Sequence, residues 1–161
     1  MAKDAIGFAL SALNRLAGSS MLDRLGMRHT AERLAYRLTK GGFQVITTSA
    51  RAFKSNNPSD KPQRLDAPGH TTVLFTSPHV ARIEERVRIN GRPVEPSVFD
   101  EALLRVKACA EDLGLEPTFF ETTMLVAWAV SDLVKADVVV QETGLGGRLD
   151  ATRATRADLA V

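Results

Sequence analysis

The stretch Asp137-Val138-Val139-Val140-Gln141-Glu142-Thr143-Gly144-Leu145-Gly146-Gly147-Arg148-Leu149-Asp150-Ala151-Thr152 decides how this chain is read. A short β-branched run gives way to an acidic residue, then to a loop carrying three glycines, an arginine and an aspartate. A continuous apolar run is the signature of a strand buried on both faces of a parallel sheet. In open α/β sheets, ligands sit just beyond the carboxyl ends of such strands. Glu142 stands at that point, and the glycines after it allow a close backbone approach. Taken alone, the stretch fits an ordinary strand and flexible turn equally well.

The residues before it supply an α/β unit. Thr118 and Glu121 form a T-x-x-E capping box at the head of a helix. Its Met124, Leu125, Trp128, Val130, Leu133 and Val134 are core residues. Pro96 opens an earlier helix running to about Leu113, with Phe99, Leu103, Val106 and Ala110 on one side. Glu84 to Ile89 alternates polar with apolar and closes on Asn90-Gly91, a hairpin-turn dipeptide. Thr71 to Thr76 is a compact strand ending in Ser77-Pro78-His79. Ser77 suits a hard cation or a phosphate at a strand end, although a plain Ser-Pro turn is the simpler reading of that tripeptide. Ala157 to Val161 begins another strand. The order of strand, short strand, two helices and strand predicts a right-handed crossover.

The front half reads differently. Ile6, Leu10, Leu13 and Leu16 recur at helical spacing, and Gly18-Ser19-Ser20 ends that segment. Thr30 caps a further helix whose stripe is Leu34, Leu38, Val45, Ile46, Ala50 and Phe53. Gly41-Gly42 interrupts it at a cost of about 1 kcal/mol per glycine relative to alanine. Phe43 to Ser49 is rich in β-branched residues, so a strand is an open alternative there. Lys54 to Asp66 has two prolines and no periodicity, as in a linker. The expected division is a helical segment over 1–53, a linker over 54–66 and an α/β domain over 67–161. Lys54-Ser55 faintly suggests a phosphate-binding loop, but Ser49 to Phe53 holds none of the glycines such a loop requires.

Composition narrows the function classes. The 161 residues, 44% hydrophobic and 25% charged, are those of a globular chain with a real core. Residues 1–66 carry eleven Lys/Arg against five Asp/Glu, and the remainder ten against fourteen, so the halves are +6 and −4. The basic half lacks aromatic interleaving, and nucleic acid is not an expected partner. No apolar run reaches membrane-spanning length. The single cysteine, Cys109, permits no internal disulfide and fits a reduced, cytoplasmic setting.

Four motifs in register carry a resemblance. Phe75-Thr76-Ser77-Pro78-His79 with Arg82, Glu85-Arg86 and Ile89-Asn90-Gly91 resembles the second signature of folylpolyglutamate and dihydrofolate synthases. Phe119-Phe120-Glu121 and then Glu142 to Thr152 resemble the next two signatures, in the same order. Those enzymes are of the Mur-ligase class and use ATP to add glutamate to a pterin acid. The resemblance covers about residues 67–161. Residues 13–26 are only faintly similar to N-terminal leaders of bacterial acyl-CoA dehydrogenases.

The resemblance implies a P-loop-like, three-layer α/β unit with a small parallel sheet, incomplete here and preceded by an α-helical segment. It implies that Ser77 and Glu142 hold the magnesium ion that bridges ATP and substrate. It implies that Gly144 to Ala151, with Gly146, Gly147, Arg148 and Asp150, lies along the pterin acid, and that His79 and Arg82 belong to a substrate-contacting segment. The departures are equally specific. The family's phosphate-loop strand, its glycine-rich loop and the following helix are replaced upstream of Ala67. The chain stops before the family's histidine metal ligand and its glutamate-binding domain, and Arg153 stands where asparagine is usual. The strand missing from the family pattern belongs between residues 137–141 and the strand beginning at Asp158. Its loss leaves unpaired edges, to be filled by residues 43–49 or by a partner chain. The expectation is a truncated, catalytically incompetent ligase fragment. The alternative is a fusion product acting only as a helical interaction module.

Overall fold

The computed structural model describes residues 44–48, 69–146, 150–155 and 157–160. The helices expected before residue 43 and the linker over 54–66 lie outside these residues. The chain order is β1 (Gln44–Thr48), β2 (Thr72–Phe75), β3 (Val87–Ile89), β4 (Arg92–Pro93), α1 (Pro96–Leu113), α2 (Phe119–Leu133), β5 (Val138–Glu142) and β6 (Leu159–Ala160). Short 3-10 turns cover Ile83–Arg86 and Ala151–Ala154. The strands form one mostly parallel sheet in the order β4-β3-β2-β5-β1-β6, with β3 and β4 antiparallel to their neighbours. This is a mixed α/β fold, as the motif order predicts.

Local chemistry explains most of the elements. Pro96 starts α1, and Gly114 ends it in the left-handed conformation at φ 60°. The capping box opens α2: Thr118 N–H donates to Glu121 Oε2 at 2.7 Å, and the Glu121 N–H returns to Thr118 Oγ1 at 3.4 Å. Asn90 and Gly91 both take positive φ, 47° and 76°, and turn β3 into β4. α2 packs against α1 and β2. Phe75, Val73, Val87, Val106, Met124, Leu125, Val130 and Val139 are essentially inaccessible and form the core between helices and sheet.

Two sequence expectations are revised. The alternating run from Glu84 is not strand throughout, because Ile83–Arg86 forms a 3-10 turn and only Val87–Ile89 pairs with β2. The Glu85 carboxylate causes this, accepting the N–H groups of Val80, Ala81 and Arg82 at 2.9, 3.2 and 2.9 Å and curling the chain.

The second revision concerns the sheet's interior. The open alternatives at Phe43 to Ser49 resolve as strand over Gln44–Thr48, so the helical stripe does not continue through Val45 and Ile46. β1 inserts between β5 and β6, parallel to both, with Gln44–Thr48 opposite Val138–Glu142. The place beside residues 137–141, expected to be filled by residues 43–49 or by a partner chain, is taken by β1. The start of β1 is held from both sides: Gln44 N–H donates to the Asp137 carbonyl at 2.9 Å, and Val45 N–H to Asp158 Oδ2 at 2.7 Å. Among the described residues, no helix is long and apolar enough to cross a membrane.

Candidate functional site at the carboxyl ends of β2, β5 and β1

Three parallel strands end side by side. Phe75 pairs with Gln141 and Thr48 with Glu142, so the chains leaving β2, β5 and β1 emerge along one edge. Thr143 N–H donates to the Thr48 carbonyl at 2.8 Å, holding the first loop residue beside β1.

Ser77 and Glu142, both implicated as metal ligands, are brought together here. Ser77 N–H donates to Glu142 Oε2 at 2.7 Å. Glu142 is buried, and among the described residues no other hydrogen bond to its carboxylate is formed. Oxygen donors of this kind suit a hard cation, and magnesium keeps several waters and needs only one or two protein oxygens beside substrate phosphates. Ser77 Oγ and Glu142 fit that limited donor set. Among the described residues, no group of three His, Cys, Asp or Glu side chains clusters as a complete protein-made metal cage.

The glycine loop is built against α2. A Cβ on Gly144 would lie 2.7 Å from Phe120 Cζ, so only glycine passes the ring at this point. Phe120 in turn meets Phe75 edge-on, with centroids 5.6 Å apart. Gly146 takes φ 75° and donates its N–H to Asp150 Oδ2 at 2.7 Å. Asp150 Oδ1 accepts from Thr152 N–H at 2.9 Å and Thr152 Oγ1 at 2.6 Å, capping the Ala151–Ala154 turn. Ala151 packs into the core. The buried Asp150 carboxylate thus closes its own loop, a structural duty additional to the substrate contact that the resemblance implies. Gly147 and Arg148 lie outside the described residues.

The segment after Ser77 carries the other expected contacts. His79 Nδ1 accepts from Arg86 Nε at 2.9 Å. Arg82 is largely exposed and turns to Glu84, with Nη2 to Oε1 at 3.1 Å. That hydrogen bond, with the attendant charge attraction, raises the Arg82 pKa, and it holds the Glu84 carboxyl below its ordinary value. Backbone N–H donors from Val80 and Arg82 lower Glu85 in the same way.

Several site-forming residues escaped sequence reasoning. Gln141, fully buried at the end of β5, has its amide nitrogen 2.7 Å from the Thr152 carbonyl and 2.9 Å from Thr47 Oγ1. Its Oε1 lies 3.3 Å from Trp128 Nε1, so one side chain ties β1, β5, α2 and the loop together. A polar residue closing an apolar strand was the available signal. Arg86, read from sequence only as part of a signature and given no role, is buried with its guanidinium 5.1 Å from the Phe119 ring centroid.

Comparison with known proteins follows this geometry. No family model matches the chain. It is 38% identical over 97 residues to the dihydrofolate synthase/folylpolyglutamate synthase of Escherichia coli, covering 60% of this chain and 22% of that protein. It is 34% identical over 93 residues to the human mitochondrial folylpolyglutamate synthase, covering 55% and 16% respectively. Among solved structures, E. coli FolC in complex with DHPP and ADP superposes with TM-score 0.66 at 30% identity, over 81% of this chain and 32% of that one. The Yersinia pestis bifunctional synthase complexed with AMPPNP and Mn gives 0.68 at 33% identity, over 89% and 34%. The chain thus spans about a fifth of the length of these curated bacterial relatives. With the strand-end motifs, the loop and the sheet all in agreement, the chain is similar over its matched residues to the dihydrofolate synthase/folylpolyglutamate synthases and shares their Mur-ligase fold.

Proposed function

We propose that this chain forms the metal- and pterin-acid-facing corner of an ATP-dependent ligase that joins glutamate to a pterin acid. The observation that carries the reading is the Ser77–Glu142 contact at the adjoining carboxyl ends of β2 and β5, beside a glycine loop shaped by Phe120. Relatives support the chemistry: one solved synthase holds DHPP and ADP, another AMPPNP and Mn, and a third Mn, AMPPNP and L-glutamate.

In this reading Ser77 Oγ and the Glu142 carboxylate hold a divalent ion, which supplies charge neutralisation for phosphoryl oxygens when bound. Glu142 is kept aimed by the Ser77 N–H, and Gly146 and Asp150 hold the loop's shape along the acid. Phe120 and the loop screen one side of the site from water.

We further infer that the chain by itself does not turn over. β1 takes the place of the family's phosphate-loop strand, yet no glycine occurs from Phe43 to Pro68. Without glycines, backbone N–H groups cannot close around a triphosphate. Isothermal titration with dihydropteroate and magnesium is the test, followed by an assay for ATP-dependent glutamate addition. Magnesium-dependent heat that vanishes in Glu142→Ala, with no glutamate addition, is the expected result. Absence of heat with the wild type sinks the binding reading, and detectable glutamate addition sinks the inactivity reading.

A further inference from the structure

Arg86 is the one charged side chain at this end of the sheet whose burial the site described so far leaves unexplained. It is 7% exposed, yet among the described residues no carboxylate lies within ion-pair distance of its guanidinium. Its surroundings are neutral: Nε donates to His79 Nδ1 at 2.9 Å, and the Phe119 ring lies beneath the plane, 5.1 Å from centroid to Cζ. Burial is the cause that lowers its pKa, with no opposing charge to offset it. A cation withdrawn from water costs far more than one aromatic contact returns, and buried charges are normally retained with a partner.

The geometry also leaves the binding edge of the guanidinium unused. Among the described residues no acceptor takes either Nη group, and neither is among the buried side-chain atoms left without a partner. With Nε anchored on His79 and Cζ seated over the Phe119 ring, the two Nη groups form a fork, the arrangement that receives two oxygens of one anion. The Arg86 backbone lies at the same strand end as Ser77. The Arg86 carbonyl accepts from Thr76 N–H at 2.9 Å, and Thr76 immediately precedes Ser77. Phe119 begins α2 directly before Phe120, the ring that shapes the glycine loop.

We propose that Arg86 is an anion-recognition residue, whose Nη fork holds the carboxylate of a small organic acid beside Ser77 and Glu142. The inference rests on the proposed function only in that a pterin acid is the acid expected there. The bland alternative is a packing residue that shields Phe119.

The test uses the whole chain and small probes that do not depend on the pterin. Arginine side-chain NMR resonances are followed during titration with benzoate, with benzamide and with inorganic phosphate. The expected result is that benzoate moves the Arg86 Nε and Nη signals and binds about tenfold or more tightly than benzamide, as a charge-assisted fork should. In Arg86→Gln, shown to be folded by its circular dichroism, that preference disappears. Equal response to benzoate and benzamide, no response to either, or an undiminished preference in folded Arg86→Gln overturns the proposal. Tighter binding of phosphate than of benzoate overturns its carboxylate assignment. Should Arg86→Gln fail to fold, the three wild-type titrations decide alone. A benzoate response without magnesium-dependent dihydropteroate binding leaves Arg86 in place and removes the ligase reading.

Discussion

Ser77 N–H and Glu142 Oε2 meet at 2.7 Å across 65 residues of sequence, and that bond fastens the end of β2 to the end of β5. It separates two duties of one carboxylate. Glu142→Gln keeps an oxygen acceptor for Ser77 and loses the negative charge. The folded chain should then melt within a few degrees of the wild type while magnesium binding, read by isothermal titration, is lost. Glu142→Ala removes both, and stranding the Ser77 donor should cost about 1–2 kcal/mol in a urea titration. A Gln variant that binds magnesium normally would detach Glu142 from any metal role.

Gly144 and Phe120 make a second test, because the ring already occupies the space a methyl group needs. Gly144→Ala should destabilise by about 1–3 kcal/mol through overpacking. Adding Phe120→Leu to it should restore part of that loss, so the two substitutions should be non-additive by more than about 0.5 kcal/mol. Additive effects in a double-mutant cycle would show that the ring moves aside freely.

The Glu121 carboxyl provides a pH prediction. Burial raises its pKa despite the Thr118 donors, and its Oε1 has no hydrogen-bond partner. Folding therefore favours the protonated form. Between the ordinary glutamate range and the raised value, the folded chain holds more protons than the unfolded one, so this group's contribution falls as pH rises through that window. Glu121→Gln removes the titration while keeping an acceptor for Thr118. Urea midpoints of variant and wild type should be close near pH 4 and diverge in the variant's favour toward pH 8. A difference independent of pH would show that Glu121 ionises as freely in the fold as outside it.

β1 gives the sharpest structural test. Val45 is buried and its N–H is held by Asp158. Val45→Asp places an unpaired charge between β5 and β6 and should cost several kcal/mol, enough to abolish a cooperative melt. Native-state hydrogen exchange on the wild type should show Val45 to Thr48 amides protected to the same degree as those of β5. Fast exchange at Val45 to Thr48 beside slow exchange in β5 would remove β1 from the sheet.

Local signals made much of the fold legible in advance. Pro96, the Thr118–Glu121 box, Asn90-Gly91 and the apolar runs of β2 and β5 each act within a few residues, so the sequence around them carries the whole instruction. The Glu85 turn was hidden because alternation over Glu84 to Ile89 has the strand period, whereas one carboxylate collecting three N–H groups dominates locally.

By itself, then, the sequence determined that a short parallel strand ends in Glu142 and a glycine loop, and that Ser77 ends another. These are properties of chain segments, set by side-chain period and turn chemistry. The tertiary structure alone decided that Gln44–Thr48 is a strand and lies beside β5, because helix and strand preferences there are nearly balanced and the outcome rests on hydrogen bonds to Asp137 and Asp158. It alone brought Ser77 to Glu142, set Phe120 against Gly144, and left Arg86 buried without a counter-charge among the described residues. Each of those joins residues far apart in sequence, and only the packed sheet and helices determine which of them meet.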